Sequence, residues 1–385
     1  MDFSLSDEQQ ARKQQAIDFA RAELNDNLLE REQAGLFSRE DWNKCAEYGI
    51  LGLPVPREYG GTGSDILTSI LVLEGLGYGC RDNGLPFALN SQLWSVETVL
   101  LKAGSDAQKR RYLPPLCNGE MIGAFGITEE GTGSDAYGMT THAEKTSDGY
   151  ILNGKKCYIT SAPVADLSII FATTDPKLGI WGITAFIVER DTPGYAASDT
   201  RSKMGMQTTQ MGDITLEDCL VPAENLLGSE GSGAQLITRT MEAERGYIFA
   251  SQLGAMERQL EDAVSYARDR KTGAGQPIGG FQSVSNRIAD MKVRLEAARH
   301  LLYKVAWLDD MGQPLLMDAA IAKLFLSECF IDSSMDAIRT FGARGYVTEF
   351  GIERDLRDGI GGLVYSGTSD IQRNIIASLM GVQGK

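Results

Sequence analysis

Residues 149–160, GYILNGKKCYIT, decide the fold predicted for this chain. Strand-like runs flank Asn153-Gly154, and Asn-Gly is the strongest short-range signal for a two-residue hairpin turn. The alternating pattern, typical of half-buried strands, continues in three later runs: LSIIFATT (167–174), ITAFIVER (183–190) and DITLEDCLV (213–221). The sequence therefore predicts a small antiparallel β domain over residues 121–228.

On both sides of this segment the hydrophobic period becomes helical. In residues 1–120, Ser6 with Gln9 and Ser105 with Gln108 have the capping-box spacing that starts a helix. Residues 229–385 contain three long amphipathic runs suited to a four-helix bundle: 255–270, 284–312 and 317–342. The predicted class is α+β, with an N-terminal helical domain, a middle β domain and a C-terminal bundle.

Composition excludes several classes of protein. The chain has 385 residues and a net charge of −15, which argues against nucleic acid as a partner. No apolar run approaches the roughly 18 residues of a membrane span, and the first residues lack the pattern of a secretory signal. The six cysteines form no C-x-x-C pair, which indicates reduced, mostly buried thiols. We therefore predict a cytoplasmic protein without a metal site and without a membrane partner.

Histidine chemistry is also disfavoured. Only His142 and His300 are present, one in an alternating polar segment and one on a helical run, and both fit surface or packing positions. This disfavours a Ser-His-acid triad and a histidine-rich metal site, since both chemistries rely on histidine. The segment GTGSDA (131–136) fits the dinucleotide pattern G-x-G-x-x-A, but a β-rich region follows it instead of a helix, so we reject a Rossmann site. Its glycines would let the backbone approach a planar ring closely, although a plain turn into a strand remains the alternative.

Four segments together resemble the acyl-CoA dehydrogenase family, in order and in spacing: ITEEGTGSD (127–135), GKKCYIT (154–160), RDRKTGAGQPIGGFQ (268–282) and YSGTSDIQR (365–373). The resemblance covers essentially the whole chain. It implies a helical–β–helical fold, an FAD between the β domain and the bundle, and a homotetramer.

The resemblance also implies the FAD-binding residues. Those expected to edge the flavin are Phe125, Ile127, Thr128, Gly133 and Ser134, and those expected to cover its other side are Tyr158 and Thr160. Arg270 matches an arginine that reaches the FAD pyrophosphate of a neighbouring subunit, in keeping with its forked donors. Further positions near the FAD are Gln282, Arg339, Gly342, Thr368 and Asp370.

Two of these segments depart from the family pattern. Gly273 and Ala274, with one extra residue, stand where the family usually has Phe-Gly, which puts stacking on the adenine end of FAD in question. Arg339 stands where a Gln is usual, and adds a positive charge that could meet an FAD phosphate or a substrate group.

The reaction of the family needs a carboxylate that removes the α proton of a thioester. In much of the family it lies where this chain has Ser366, but relatives similar to isovaleryl-CoA dehydrogenase carry it on a bundle helix. TMEAERGYIFASQLG (240–254) places Glu244 and Arg245 at that spot. We predict Glu244 as the base, with an exposed helix carboxylate as the alternative. Ser366 is expected to act only through its backbone N–H on the thioester carbonyl, so its side chain should be dispensable. Predicted substrate contacts are Ser134, Glu242, Arg245 and Ser366.

The prediction of the substrate rests on the family resemblance alone. Asp82-Asn83, within LGYGCRDNGLPFALNSQLW (76–94), looks most like enzymes that dehydrogenate or oxidise prolyl groups on a carrier protein, at CH–CH or CH–NH bonds. A short or branched-chain acyl-CoA dehydrogenase, a flavin monooxygenase and a non-enzymatic flavin-binding protein remain alternatives. The electron acceptor is left open between an electron-transfer flavoprotein and O₂. Arg201 and Lys203 are predicted to receive an acidic carrier, unless they are only solvated loop charges.

Overall fold

The computed structural model of the chain describes residues 4–382. Its N-terminal part is helical as predicted: α1 (Asp7–Glu23), α2 (Leu28–Ala34), α3 (Arg39–Tyr48), α4 (Ile66–Gly79), α5 (Gly84–Ser91), α6 (Thr98–Ala103) and α7 (Asp106–Cys117). Both predicted capping boxes are present. Ser6 caps α1 and Ser105 caps α7, each exchanging hydrogen bonds with a glutamine three residues later.

The middle of the chain forms one sheet from β1 (Gly123–Gly126), β2 (His142–Lys145), β3 (Gly149–Thr160), β4 (Leu167–Thr173), β5 (Ile183–Glu189), β6 (Tyr195–Ala197), β7 (Met211–Pro222) and β8 (Leu226–Leu227). The strand order is β6-β7-β3-β2-β4-β5-β8, and β1 pairs with β4. Most pairs are antiparallel as predicted, whereas β1–β4 and β2–β4 are parallel.

The hairpin turn predicted at Asn153-Gly154 is wrong. β3 continues through both residues as one 12-residue strand, with a register shift against β7 between Leu152 and Gly154. Gly154 has φ 150°, and a Cβ there would lie 2.5 Å from Thr141 Oγ1, so the glycine serves a bulge and a close approach. The chain actually turns between β2 and β3, just before Gly149.

The C-terminal part is again helical: α8 (Gly233–Tyr247), α9 (Ala250–Asp269), α10 (Gln282–Asp310), α11 (Leu316–Phe341), α12 (Ile352–Gly361) and α13 (Ser369–Leu379). The three long amphipathic runs of the sequence correspond to α9, α10 and α11. This confirms the predicted helical–β–helical order. The predicted domain boundaries, after residues 120 and 228, lie between elements and stay a prediction.

The crossing of α4 and α9 joins the two helical parts. A Cβ on Gly77 would lie 1.9 Å from the Ser251 carbonyl oxygen, and one on Gly254 would lie 1.9 Å from that of Glu74. Only glycine allows the backbones to come this close. One hydrophobic core therefore runs from the N-terminal helices into the bundle.

Two findings concern the state of the cysteines and the presence of membrane-spanning helices. All six cysteines are buried free thiols, as predicted. Across residues 4–382, no helix combines the length and the apolar character that a membrane span requires.

Candidate active site

A cavity of about 1050 Å³ lies between the sheet, the N-terminal helices and the C-terminal helices. Pockets for one small ligand are usually about 300–1,000 Å³. The cavity therefore has room for a cofactor together with the end of a second molecule.

Seven of the predicted cofactor residues line this cavity: Phe125, Ile127, Thr128, Gly133, Ser134, Tyr158 and Thr160. They combine apolar side chains with hydroxyl groups. A Cβ built on Gly131 or on Gly133 would meet no atom within 4 Å, so the loop leaves open space beside its backbone. An extended planar ring fits such a wall, and in this respect the residues present suit FAD.

The other predicted cofactor residues are not part of the cavity wall. Arg270 lines a separate surface cleft with Tyr266 and Arg344. Three others lie at helix ends: Gln282 starts α10, Gly342 ends α11 and Thr368 caps α13. The last two form ion pairs, Arg339 with Asp336 at 3.2 Å and Asp370 with Arg373 at 3.4 Å. Within one subunit the structure does not bring these six residues to the seven that line the cavity.

Glu244 lies on the wall of the cavity, near the C-terminal end of α8. Its Oε2 accepts a hydrogen bond of 2.7 Å from the hydroxyl of Ser95. Its Oε1 accepts one from the hydroxyl of Ser366. The side chain of Ser366, expected to be idle, is thus bonded to the predicted base. Position 366 and Glu244 are therefore in direct contact in the cavity wall.

The turn that carries Ser366 has an unusual backbone. Ser366 has φ 55° and Gly367 has φ 84°, both in the left-handed region. The carbonyl oxygen of Ser366 accepts hydrogen bonds from Arg245 Nε and from Gln372 Nε2, each at 3.2 Å. The Ser366 N–H has no hydrogen-bond acceptor among residues 4–382, which leaves this donor available for a ligand.

The two charged neighbours of Glu244 on α8 differ in position. Arg245 lines the cavity, and burial lowers the pKa of its guanidinium. Glu242, predicted to contact substrate, is half-buried but does not line the cavity. Burial raises the pKa of Glu242, against the opposing charges of Lys102 and Arg245.

Several residues around Glu244 were not predicted to belong to the site. Phe87, Ser91 and Tyr365 line the cavity, and the rings of Phe87 and Tyr365 are 4.6 Å apart between centroids. Burial, reinforced by the charge of Glu244, raises the pKa of Tyr365, so its hydroxyl stays neutral. Ser95 belongs to a π-helical turn, Gln92–Glu97, and π turns are frequent at functional sites.

A buried ion pair anchors the loop that follows β1. Lys156 Nζ lies 2.8 Å from Glu129 Oε1, and both side chains are almost fully buried. Glu129 also accepts hydrogen bonds from Thr140 and from the Thr141 N–H. Burial by itself would raise the pKa of Glu129, but the charge of Lys156 and these hydrogen bonds outweigh it and lower the pKa to about 2. The loop with Thr128, Gly133 and Ser134 is thereby fixed to β3.

Arg201 and Lys203, predicted to receive an acidic carrier, differ in exposure: Arg201 is exposed, whereas Lys203 is half-buried. Their role toward a carrier stays a prediction. The guanidinium of Arg201 contacts both carboxylate oxygens of Asp213, at 2.9 and 2.6 Å, so its charge is paired. Lys203 is half-buried in the cavity wall and donates to the Thr209 carbonyl oxygen at 2.8 Å. Burial lowers the pKa of Lys203.

Asp82 and Asn83 have structural contacts. Asn83 Nδ2 donates to Asp355 Oδ1 at 2.7 Å and to Asp358 Oδ2 at 3.0 Å. Asp82 Oδ1 accepts from Thr208 Oγ1 at 2.7 Å. The pair therefore joins the start of α5 to α12 and to the loop before β7, and touches the cavity only through these elements.

The cavity lies between a β domain and two helical parts and has the carboxylate of Glu244 in its wall, which agrees with the family resemblance of the sequence. Residues 6–120, 124–219 and 231–381 match the N-terminal, middle and C-terminal domains of acyl-CoA dehydrogenase, respectively. The chain belongs to the acyl-CoA dehydrogenase family.

Within this family the chain is similar to proteins that act on carrier-bound proline. It is 42% identical over 347 residues to the L-prolyl-[peptidyl-carrier protein] dehydrogenase of Pseudomonas fluorescens, covering 90% of this chain and 91% of that protein. The crystal structure of the prolyl acyl carrier protein oxidase AnaB has a TM-score of 0.97 and 46% identity, covering 98% and 100% of the two chains. The structure of PigA with FAD and proline has a TM-score of 0.97 and 39% identity, covering 100% of both.

Proposed function

We propose that this protein is an FAD-dependent dehydrogenase or oxidase of an acyl thioester, and that its substrate is an L-prolyl group tethered to a carrier protein. The observation that carries the proposal is the carboxylate of Glu244 in the cavity, opposite the free N–H of Ser366. The high similarity to a prolyl-carrier-protein dehydrogenase and to a prolyl-carrier-protein oxidase supports the substrate.

In this mechanism Glu244 takes the α proton of the thioester onto a carboxylate oxygen. The N–H of Ser366 donates a hydrogen bond to the thioester carbonyl oxygen, where negative charge develops as the proton leaves. The residues that line the cavity would hold FAD, which would supply the acceptor for the hydride that leaves the β carbon. The product is a ring with a double bond between the α and β carbons of the thioester, which can then isomerise to the imine.

The residues proposed to hold FAD fall into two groups. The seven cavity residues would surround the flavin, with Phe125 and Thr128 on one side and Tyr158 on the other. Arg270, in its separate cleft, would reach the FAD of a neighbouring subunit, together with Gln282 and Arg339. This arrangement needs an oligomer, and we propose a homotetramer in which reduced FAD is reoxidised by an electron-transfer flavoprotein or by O₂.

Anaerobic reduction of the flavin by a panel of thioesters tests the substrate. Prolyl-loaded carrier protein is expected to bleach the flavin faster than prolyl-CoA, and both faster than butyryl-CoA. Both prolyl donors present the same pantetheine arm and the same ring to the cavity, so a difference between them must come from contacts of the carrier outside it.

The control is a carrier loaded with cyclopentanecarbonyl, which keeps the ring and removes its nitrogen. Fast reduction by butyryl-CoA together with no reduction by prolyl carrier would return the protein to the ordinary acyl-CoA dehydrogenases. Absence of bleaching by every thioester would contradict a thioester dehydrogenase altogether.

A further inference from the structure

Each carboxylate oxygen of Glu244 accepts a hydrogen bond from a serine hydroxyl, and the two serines come from different parts of the chain. Ser95 reaches Oε2 from the N-terminal helices, and Ser366 reaches Oε1 from the turn before α13. We propose that Ser95 and Ser366 are positioning residues that together fix the carboxylate of Glu244 for removal of the α proton. The inference rests on the proposed function, in which Glu244 is the base.

Ser95 is held firmly enough to play this part. It is 1% exposed and lies in the π-helical turn between α5 and α6. The Thr98 N–H and Thr98 Oγ1 both donate to the Leu93 carbonyl oxygen, which stabilises the wider turn. The extra residue of a π turn changes which side chains face the cavity, and here it presents the hydroxyl of Ser95 to Glu244.

Ser366 is fixed by different means. Its left-handed conformation is uncommon for a residue with a side chain, so surrounding contacts must maintain it. Arg245 and Gln372 supply them by donating to its carbonyl oxygen. The same residue thus offers its N–H toward the cavity while its hydroxyl holds the base.

The two hydroxyls restrict the direction in which the base can accept a proton. An ionised carboxylate has about four acceptor sites, and one on each oxygen of Glu244 is used by a serine. The remaining sites keep a fixed orientation, which matters because a misplacement of about 1 Å can lower a rate by roughly 100-fold. A donor on a carboxylate also lowers its basicity in general, so the loss of a donor would by itself favour proton removal. Slower exchange in a variant without one serine therefore points to lost positioning.

Exchange of α protons into D₂O isolates this step from oxidation. Acetyl-pantetheine has α protons and no β carbon, so Glu244 can remove a proton and return a deuteron while no hydride can leave. The FAD-loaded oligomer would be incubated with acetyl-pantetheine in D₂O, and the loss of the methyl signal would be followed by NMR. The variants are Ser95→Ala and Ser366→Gly, since glycine suits the positive φ at position 366.

Each variant is expected to slow exchange by about 10- to 100-fold, the effect of losing one hydrogen bond to a charged group. FAD content and the flavin absorption spectrum should stay unchanged. The matched control is Ser327→Ala, which removes a fully buried hydroxyl that bonds the Leu324 carbonyl oxygen away from the cavity. Exchange in this control should equal that of the native enzyme.

Native rates of exchange in both variants would overturn the positioning role while leaving Glu244 as the base. Absence of exchange in the native enzyme would instead contradict the proposed function, and with it this inference. If Ser95→Ala loses FAD, exchange is measured instead in Ser95→Thr, which restores a hydroxyl at this position. Recovery of exchange per bound FAD supports positioning, and failure to recover overturns it.

Discussion

Replacement of Glu244 by glutamine is expected to remove nearly all reduction of the flavin by substrate. Glutamine keeps the size of the side chain and can still accept from one of the two serine hydroxyls, but it cannot accept the α proton. Loss of a general base typically lowers the rate by about 10²- to 10⁴-fold. Stopped-flow absorbance under anaerobic conditions, at saturating prolyl carrier, measures the rate directly.

The matched control is Glu217→Gln on β7, where an exposed carboxylate is lost far from the cavity. FAD content should be the same in both variants. A Glu244→Gln enzyme that turns over at the native rate would move the base elsewhere. It would also favour the alternative that the protein is a flavin monooxygenase, which needs no α-proton base.

The second large effect is expected at the buried ion pair between Glu129 and Lys156. Glu129→Gln leaves the ammonium group of Lys156 buried without a counter-charge, because its remaining partners (the glutamine amide oxygen, the Ile127 carbonyl oxygen and the sulfur of Met139) are all neutral. Breaking a buried pair by removing one partner typically costs about 3–5 kcal/mol. The denaturation midpoint should fall, and FAD should be lost first, because Glu129 anchors the loop with Thr128 and Gly133.

The double variant Glu129→Gln with Lys156→Met is the matched control. It removes both charges, so it should be much less destabilised than Glu129→Gln alone. Equal stability of the single and double variants would contradict this prediction, because it would show that Lys156 can be buried without a charged partner at no cost in stability.

The same pair predicts a dependence on pH with a definite sign. The pKa of Glu129 is about 2 in the folded protein, against about 4.3 for an unperturbed glutamate. The unfolded chain therefore takes up a proton first as the pH falls. The stabilisation is complete above about pH 4.3 and is lost as the pH falls toward 2. The acid limb of stability should be shallower in the double variant.

Local signals in the sequence predicted the helices well, whereas the sheet depended on distant partners. Ser6 and Ser105 were found because a capping box lies within four residues. Asn153-Gly154 misled because its turn preference is also local, while β3 is held straight through it by pairing with β7, some sixty residues away. Long-range pairing overrode the turn, and the glycine became a bulge.

The same distinction holds for the candidate site, where residues in recognisable motifs were predicted and residues placed by distant contacts were not. Glu244 followed from its resemblance to a family motif, and the cavity includes it. Ser95 could not be found, since its partner lies 149 positions away and its orientation depends on a π-helical turn. The contact of the Ser366 hydroxyl with Glu244 was not predicted, because only the backbone of Ser366 was considered. Arg201 pairs with Asp213, and Lys203 is half-buried in the cavity wall. Neither contact could be predicted from the residues next to them in the sequence.

The contact between Ser366 and Glu244 has a consequence for how such sites diverge. A carboxylate gained at position 366 would touch that of Glu244, and two carboxylates so close cannot both ionise without a large penalty. The two positions are therefore epistatic. A lineage that relocates its base from one to the other in single steps must pass through an ancestor with a carboxylate at both positions, which carries this penalty, or at neither, which has no base.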